Sequence, residues 1–246
     1  MSSRFPATRW SAVLAARSKD AAERERAVGA LLAAYWKPVY KYIRLRWNRT
    51  GEDAKDLTQD FFADLLERDL LSRYEPAKSR LRTYLRLCVD SCVSNCDKAA
   101  RRLKRGGGAV HMAMDFDAAD EELSQGTIDP SRLTSPDSLE SFFEKEWIRS
   151  LFSSAVEQLR RECVAREKMI QFRLFEQYDL EDCAEPRPRY EDLAQLHGIA
   201  ATDVTNYLSW ARREFRRIAL DRLRELCGSE EEFRREARDL FGWQPK

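Results

Sequence analysis

Glycine and proline are scarce in this chain, and that scarcity constrains the fold more than any other feature of the sequence. Nine glycines and eight prolines are spread over 246 residues, which leaves few points at which short strands could turn. Long segments rich in Ala, Leu, Arg and Glu lie between them, and these residues favour helices. Hydrophobic residues make up 43% of the chain, enough for a buried core. We therefore expect an all-α protein.

The segment EDAKDLTQDFFADLLERD, residues 52–69, combines carboxylates with large apolar side chains at helical spacing. At about 100° per residue, the apolar residues share one side of a helix: Ala54, Leu57, Phe61, Phe62, Leu65 and Leu66. The acids fall in an arc beside them: Asp53, Asp56, Asp60, Asp64 and Glu67. Such a stripe is either a solvated face or a docking surface for a basic partner.

Charge is arranged in blocks, although the net charge is only +1. Residues 73–105 contain ten Lys/Arg and three acids, a net charge of +7, and residues 206–224 contain six arginines and two acids, a net charge of +4. Between them, residues 111–146 contain ten acids and two cations, a net charge of −8. Two basic blocks separated by an acidic one suggest two polyanion-binding surfaces on one tether.

The chain has no apolar run long enough to span a membrane and no signal-peptide core, so we expect a cytoplasmic protein with reduced cysteines. Cys88, Cys92 and Cys96 recur every four residues on one helical face. Core packing, redox sensing and metal binding are all compatible with that spacing, but CxxC and paired histidines, which metal sites favour, are missing from the sequence. We expect no metal and no cofactor.

The sequence predicts consecutive helices up to residue 105, then a change of character. Residues 106–140 have low apolar density, several acids and two prolines, which indicates a partly flexible linker. Helical periodicity resumes beyond it. We expect two helical domains, 1–105 and 141–246, joined by this acidic linker.

Residues 190–217 fit a helix-turn-helix. Leu193 and Ala194 lie on a short first helix, Gly198 stands at the sharp turn, and Val204 and Leu208 supply the buried side of the second helix. Short polar side chains followed by arginines on the opposite side suit base-edge readout and phosphate contact. The alternative is a helical hairpin that never touches DNA.

Together these segments resemble a known family. The stretches DAKDLTQDFFADLL and RLRTYLRLCVDSCVSNCDKAARRLKRGG, with the C-terminal YEDLAQLHGIAATDVTNYLSWARREFRR, are similar to bacterial RNA polymerase sigma factors of the extracytoplasmic-function type. The similarity covers residues 8–105 and 185–226, and the middle of the chain matches poorly. It implies a region 2-like helical bundle and a region 4-like helix-turn-helix domain.

The resemblance implies partners and site residues. Core RNA polymerase, through the coiled coil of its largest subunit, would bind Asp53, Asp56, Gln59 and Asp60. The −10 element of promoter DNA would bind Lys78, Arg80, Arg82, Tyr84, Arg86, Asn95, Lys98, Arg101, Arg102, Lys104 and Arg105, with the loop 75–80 as the rim of a base-capture pocket. The −35 element would bind Thr202, Thr205, Asn206, Ser209, Arg212 and Arg213.

Some relatives are switched on by a kinase that phosphorylates a threonine near the docking helix, and Thr58 lies in such a place. The alternative is a partly buried threonine beside Leu57 and Phe61. An anti-sigma factor or a Ser/Thr kinase is therefore a further expected partner.

The expected function is promoter recognition by a subunit without an active site. RGGG is not followed by Lys-Ser/Thr and follows a helix, so it does not predict a phosphate-cradling loop. His111 and His197 are distant in sequence from each other and from an obvious nucleophile. Two alternatives stay open, a helix-turn-helix regulator that acts without polymerase and a helical protein-interaction module.

Overall fold

The computed structural model describes residues 12–16, 20–67, 70–100, 114–125, 135–181 and 188–242. Over these ranges the chain is helical and contains no strand, so the all-α prediction is confirmed. The α-helices within these ranges are α1 (Ala12–Ala15), α2 (Ala21–Arg46), α3 (Gly51–Glu67), α4 (Leu81–Ala100), α5 (Phe116–Gln125), α6 (Pro136–Ala165), α7 (Met169–Phe175), α8 (Tyr190–His197), α9 (Ala201–Glu225) and α10 (Glu230–Phe241). A 3-10 turn spans Leu70–Arg73, and a π-helical turn spans Glu176–Leu180.

Two compact units divide the chain. Unit 1 takes in residues 1–150 and 223–246, and unit 2 takes in residues 151–222. These boundaries differ from those expected, 1–105, 106–140 and 141–246, because α5, the first half of α6 and α10 all belong with the N-terminal helices. None of the described helices combines the length and the apolar character needed to cross a bilayer.

Unit 1 is built around α2. The carboxylate of Asp20 caps this helix by accepting hydrogen bonds from the backbone N–H groups of Ala22, at 2.9 Å, and Glu23, at 3.3 Å. The helix then continues through Pro38 to Arg46. Its buried side chains form the centre of the unit: Leu31, Leu32, Tyr35, Val39, Tyr40, Tyr42 and Ile43.

The segment predicted to carry the acidic stripe is α3. The hydroxyl of Thr50 accepts a hydrogen bond from the backbone N–H of Asp53 at 3.2 Å and so caps the helix. The predicted apolar side faces the core, where Ala54, Phe61, Phe62 and Leu65 are buried. Burial of this side leaves Asp53, Asp56 and Asp60 of the acid arc at the surface of unit 1.

Part of the predicted linker is an ordered helix in unit 1. The ring of Phe116, at the start of α5, contacts Trp36 and Tyr40 of α2 edge-on, with centroids 5.4 and 4.9 Å apart. Glu122 accepts hydrogen bonds of 2.8 Å from Lys37 and Lys41. One aromatic anchor and a carboxylate between two lysines therefore attach α5 to α2.

The first half of α6 also packs in unit 1. Trp147 stacks on Tyr35 with ring centroids 6.2 Å apart, and Phe143 meets Tyr42 edge-on at 5.5 Å. In unit 2, the Phe215 ring of α9 lies between Phe152 and Phe175, at 5.8 and 5.4 Å. Aromatic side chains spaced along long helices thus supply both cores.

Candidate polymerase-docking and nucleic-acid surfaces

The acidic stripe of α3 is accessible. Asp53, Asp56 and Asp60 are exposed and Gln59 is half-buried. Within the described residues, no ion pair or side-chain hydrogen bond engages the three carboxylates. All four residues that the resemblance assigns to polymerase docking therefore share one solvent-facing side of α3.

Electrostatic repulsion is built into the acidic stripe. Partial burial raises the pKa of the Asp60 carboxyl, and the negative charges of Asp56 and Asp64 raise it further. The charged form of Asp60 is therefore less favourable than that of a carboxylate in open solvent. A cationic partner would relieve this repulsion, which makes the stripe suited to arginine-rich or lysine-rich surfaces.

Thr58 lies on the buried side of α3 and is not part of the acidic stripe. Its side chain is 0% exposed, and its hydroxyl donates a hydrogen bond of 2.6 Å to the backbone carbonyl of Ala54. A kinase needs an accessible hydroxyl, so this placement argues against Thr58 as a phosphorylation site. It agrees with the alternative of a core threonine.

Among the described residues of the basic segment around α4, two of the predicted DNA contacts are exposed. Lys78 is exposed and forms a 2.7 Å ion pair with Glu75, and Asn95 is exposed. The α4 positions that face solvent recur every four residues, at Leu87, Ser91 and Asn95. The side chain of Lys98 and all of Arg101, Arg102, Lys104 and Arg105 lie outside the described residues.

Two predicted phosphate contacts are engaged by carboxylates of unit 1. Arg82 is 5% exposed, donates at 2.5 Å to Glu236 of α10, and also pairs with Glu144 of α6. Arg80 pairs with Asp239 at 2.5 Å and with Glu236 at 3.2 Å. Both guanidinium groups are therefore paired with acids of α6 and α10 in this structure, and their contact with promoter DNA stays a prediction.

Tyr84 and Arg86 are also held within unit 1. The hydroxyl of Tyr84 donates a hydrogen bond of 2.6 Å to the carbonyl of Leu70, and its ring lies 5.4 Å from that of Tyr74. Arg86 is mostly buried and pairs at 3.4 Å with a carboxylate of Glu140. The Tyr84 hydroxyl is therefore already hydrogen-bonded within unit 1.

A pocket of about 360 Å³ opens beside these arginines. It borders the loop that the sequence predicted as the rim of a base-capture site. Its walls combine cations, hydroxyls, carboxylates and one aromatic ring: Lys78, Ser79, Arg80, Arg82, Thr83, Arg86, Glu140, Phe143 and Glu144. A heterocycle with donors and acceptors on its edge is chemically compatible with such a lining.

Unit 2 contains the predicted helix-turn-helix motif. Helices α8 and α9 are joined through Gly198, whose φ of +64° is left-handed and favours glycine. Leu193 and Ala194 of α8 are buried, as are Val204 and Leu208 of α9. Their burial turns the opposite side of α9 outward.

The outer side of α9 carries most of the residues predicted to read DNA. The exposed residues recur at helical spacing: Thr202, Thr205, Asn206, Ser209 and Arg213. Arg212 is different. Its Nε and Nη2 donate to Asp179 at 2.8 and 2.9 Å, and its guanidinium lies 5.4 Å from the centre of the Tyr178 ring.

Cys88, Cys92 and Cys96 form a cysteine stripe on α4, and all three side chains are half-buried. Burial raises the pKa of the Cys88 thiol and raises that of Cys92 to about 12, with the neighbouring Cys96 adding to the Cys92 shift. Because the thiolate is the reactive form, these shifts disfavour redox sensing and favour packing.

The acids of α10 were missed by sequence reasoning. Their signal is present in EEEFRREARDLF, where Glu232, Phe233, Glu236 and Ala237 share one side of a helix and are all buried. An acid on the apolar side of a helix predicts a buried partner, either a cation or another hydrogen-bond donor. That partner could not be named from the sequence.

Comparison with protein-family models, with curated proteins and with solved structures found no match.

Proposed function

We propose that this chain is a promoter-recognition subunit of bacterial RNA polymerase, resembling sigma factors of the extracytoplasmic-function type. In this proposal α3 docks on the largest-subunit coiled coil, the α4 region engages the −10 element, and α9 reads the −35 element. The chain carries no chemistry of its own and acts by binding.

The observation that carries the proposal is the outer side of α9. Thr205, Asn206 and Ser209 are short polar side chains that suit base edges, and Arg213 follows one turn later at a position that suits a phosphate. A helix that buries Val204 and Leu208 and leaves this face exposed next to a tight turn meets the geometric needs of major-groove readout.

The acidic stripe of α3 supports polymerase docking. Three exposed carboxylates beside a half-buried glutamine form a negative surface. Burial and then the charges of Asp56 and Asp64 raise the pKa of Asp60, and a cationic partner would relieve the part that comes from those charges. Two weak DNA-binding surfaces on one chain reinforce each other through effective concentration once polymerase holds the chain.

The test is run-off transcription with purified bacterial core polymerase and genomic DNA fragments. We expect start sites that depend on this protein and disappear in the triple variant Asp53→Lys, Asp56→Lys, Asp60→Lys. The matched control is the triple variant Glu25→Lys, Asp117→Lys, Glu121→Lys, which reverses three exposed acids outside the acidic stripe. Transcription that is equal with both variants would overturn polymerase docking through α3.

Footprinting separates the proposal from a regulator that acts without polymerase. The free protein should protect promoter DNA weakly, and core polymerase should strengthen the protection. Strong sequence-specific protection by the free protein, unchanged by core polymerase, would favour the regulator instead.

A further inference from the structure

Helix α10 brings two acids onto the basic edge of α4. We propose that α10 is a releasable acidic cover, in which Glu236 and Asp239 hold Arg80 and Arg82 until phosphates of single-stranded DNA replace them. The proposal concerns regulation of the same DNA-binding surface and so rests on the proposed function.

The chemistry of the contacts is that of phosphate recognition. Arginine presents a planar fork of N–H donors that fits carboxylate and phosphate oxygens alike. Nη1 of Arg82 donates to Glu236 at 2.5 Å, and Nη2 of Arg80 donates to Asp239 at 2.5 Å. The acidic cover therefore occupies the donor positions that a nucleic-acid backbone would use.

Solvent reaches one of the two pairs. The side chains of Arg80 and Asp239 are 31% and 47% exposed, whereas those of Arg82 and Glu236 are only 6% and 2% exposed. An incoming phosphate can therefore meet Arg80 first and displace Asp239 before the buried pair opens. The exposed Lys78 stands beside this entrance and lines the same pocket.

The anchor of α10 is a buried carboxylate. Glu232 accepts hydrogen bonds from the Tyr74 hydroxyl at 2.7 Å, from the Leu81 backbone N–H at 2.9 Å and from the Gly228 backbone N–H at 2.7 Å. A helix of 12 residues is marginal by itself, so α10 depends on this docking for its stability. It can consequently open as one local unit without loss of the α2–α3 core.

The buried ion pairs of the acidic cover are not explained by a contribution to folding stability alone. Buried ion pairs often contribute little beyond well-packed apolar residues, because desolvation offsets the attraction. Arg82 nevertheless meets two carboxylates, Glu236 and Glu144, while its guanidinium lies 4.8 Å from the centre of the Trp147 ring. A role in binding phosphate would explain why a buried arginine stands at this position.

The experiment measures binding of a fluorescent single-stranded DNA oligonucleotide to the full chain by anisotropy at low salt. The double variant Glu236→Gln, Asp239→Asn should bind about tenfold more tightly than the natural chain, a factor that corresponds to about 1.4 kcal/mol. The control Glu231→Gln removes an exposed acid from the same helix and should change the affinity by less than about twofold.

A third variant tests whether the gain comes through the covered arginines. Adding Arg80→Gln to the double variant should reduce the gain, because one of the two released guanidinium groups is then missing. Hydrogen–deuterium exchange of the natural chain supplies a readout without mutation. Oligonucleotide binding should speed exchange in residues 230–241 and leave α2 protected.

Equal affinities for the natural chain and the double variant, or α10 protection unchanged by saturating oligonucleotide, would overturn the acidic cover. Lack of measurable binding by every variant would overturn it as well. The transcription test of the α3 charge reversals decides the proposed function separately, since those residues lie outside the acidic cover.

Discussion

The carboxylate of Glu232 accepts a hydrogen bond of 2.9 Å from the backbone N–H of Leu81, 151 residues earlier in the chain. Leu81 is the first residue of α4, where backbone N–H groups have no partner inside the helix. A side chain near one end of the chain therefore caps a helix from its first half, and this contact fixes α10 within unit 1.

Glu232→Ala should destabilise the protein by about 3 kcal/mol, because it removes the carboxylate that accepts hydrogen bonds from three buried donors. These donors are the Tyr74 hydroxyl and the backbone N–H groups of Leu81 and Gly228. Urea unfolding monitored by circular dichroism measures the loss. The control Glu231→Ala, at an exposed position of the same helix, should change stability by less than about 0.5 kcal/mol. Equal effects of the two substitutions would contradict the capping role.

Two glycines should respond to alanine in opposite directions. A Cβ at Gly228 would lie 2.8 Å from Pro76 Cγ and 2.8 Å from Tyr74 Cε1, so Gly228→Ala should destabilise by about 1–3 kcal/mol. A Cβ at Gly29, inside α2, meets no atom within 4 Å, so Gly29→Ala should stabilise by about 0.5–1 kcal/mol. Thermal unfolding of both variants measures the two changes in stability. A Gly228→Ala variant as stable as the natural chain would contradict the prediction.

The sequence allowed local structure to be predicted well and the tertiary contacts poorly. The amphipathic period of α3 and the turn at Gly198 follow from neighbouring residues, so both were predictable. The pairing of Arg82 with Glu236 was not, because their separation of 154 residues leaves no periodic signal. The helix from Phe116 to Gln125 could not be predicted for a similar reason, since Phe116 packs on Tyr40, which is distant in sequence.

The raised pKa of Asp60 gives a pH-dependent prediction. A carboxyl whose pKa is higher in the folded than in the unfolded state opposes folding above that pKa, and its cost fades as the pH falls toward the ordinary value of 3.8. Asp60→Asn should therefore raise the melting temperature at pH 7, with a smaller difference at pH 4. The control Asp117→Asn removes one exposed charge from α5. An Asp60→Asn effect that is independent of pH would contradict the raised pKa of Asp60.

Cys92 should resist alkylation in the folded protein. Its pKa of about 12, against an ordinary value of 9.0, lowers the thiolate fraction at pH 8 and should slow reaction with iodoacetamide by at least about tenfold relative to the unfolded chain. Peptide mass spectrometry over a time course, with and without urea, measures the two rates. Rapid modification of Cys92 without urea would restore redox sensing as a role for the cysteine stripe.

Neighbouring arginines of α9 should differ in their contribution to duplex DNA binding. The exposed Arg213 has no ion pair with the described residues, so Arg213→Gln should weaken binding and lower the slope of log affinity against log salt by about one. Arg212 already donates twice to Asp179, so Arg212→Gln should reduce DNA affinity less.

The informative variant is Asp179→Asn, which keeps the shape of the side chain, removes the charge that holds Arg212, and should strengthen DNA binding. Salt titrations by fluorescence anisotropy measure all three variants. If Arg212→Gln proves the more damaging substitution, then Arg212 contacts DNA while paired, and Asp179 positions it there.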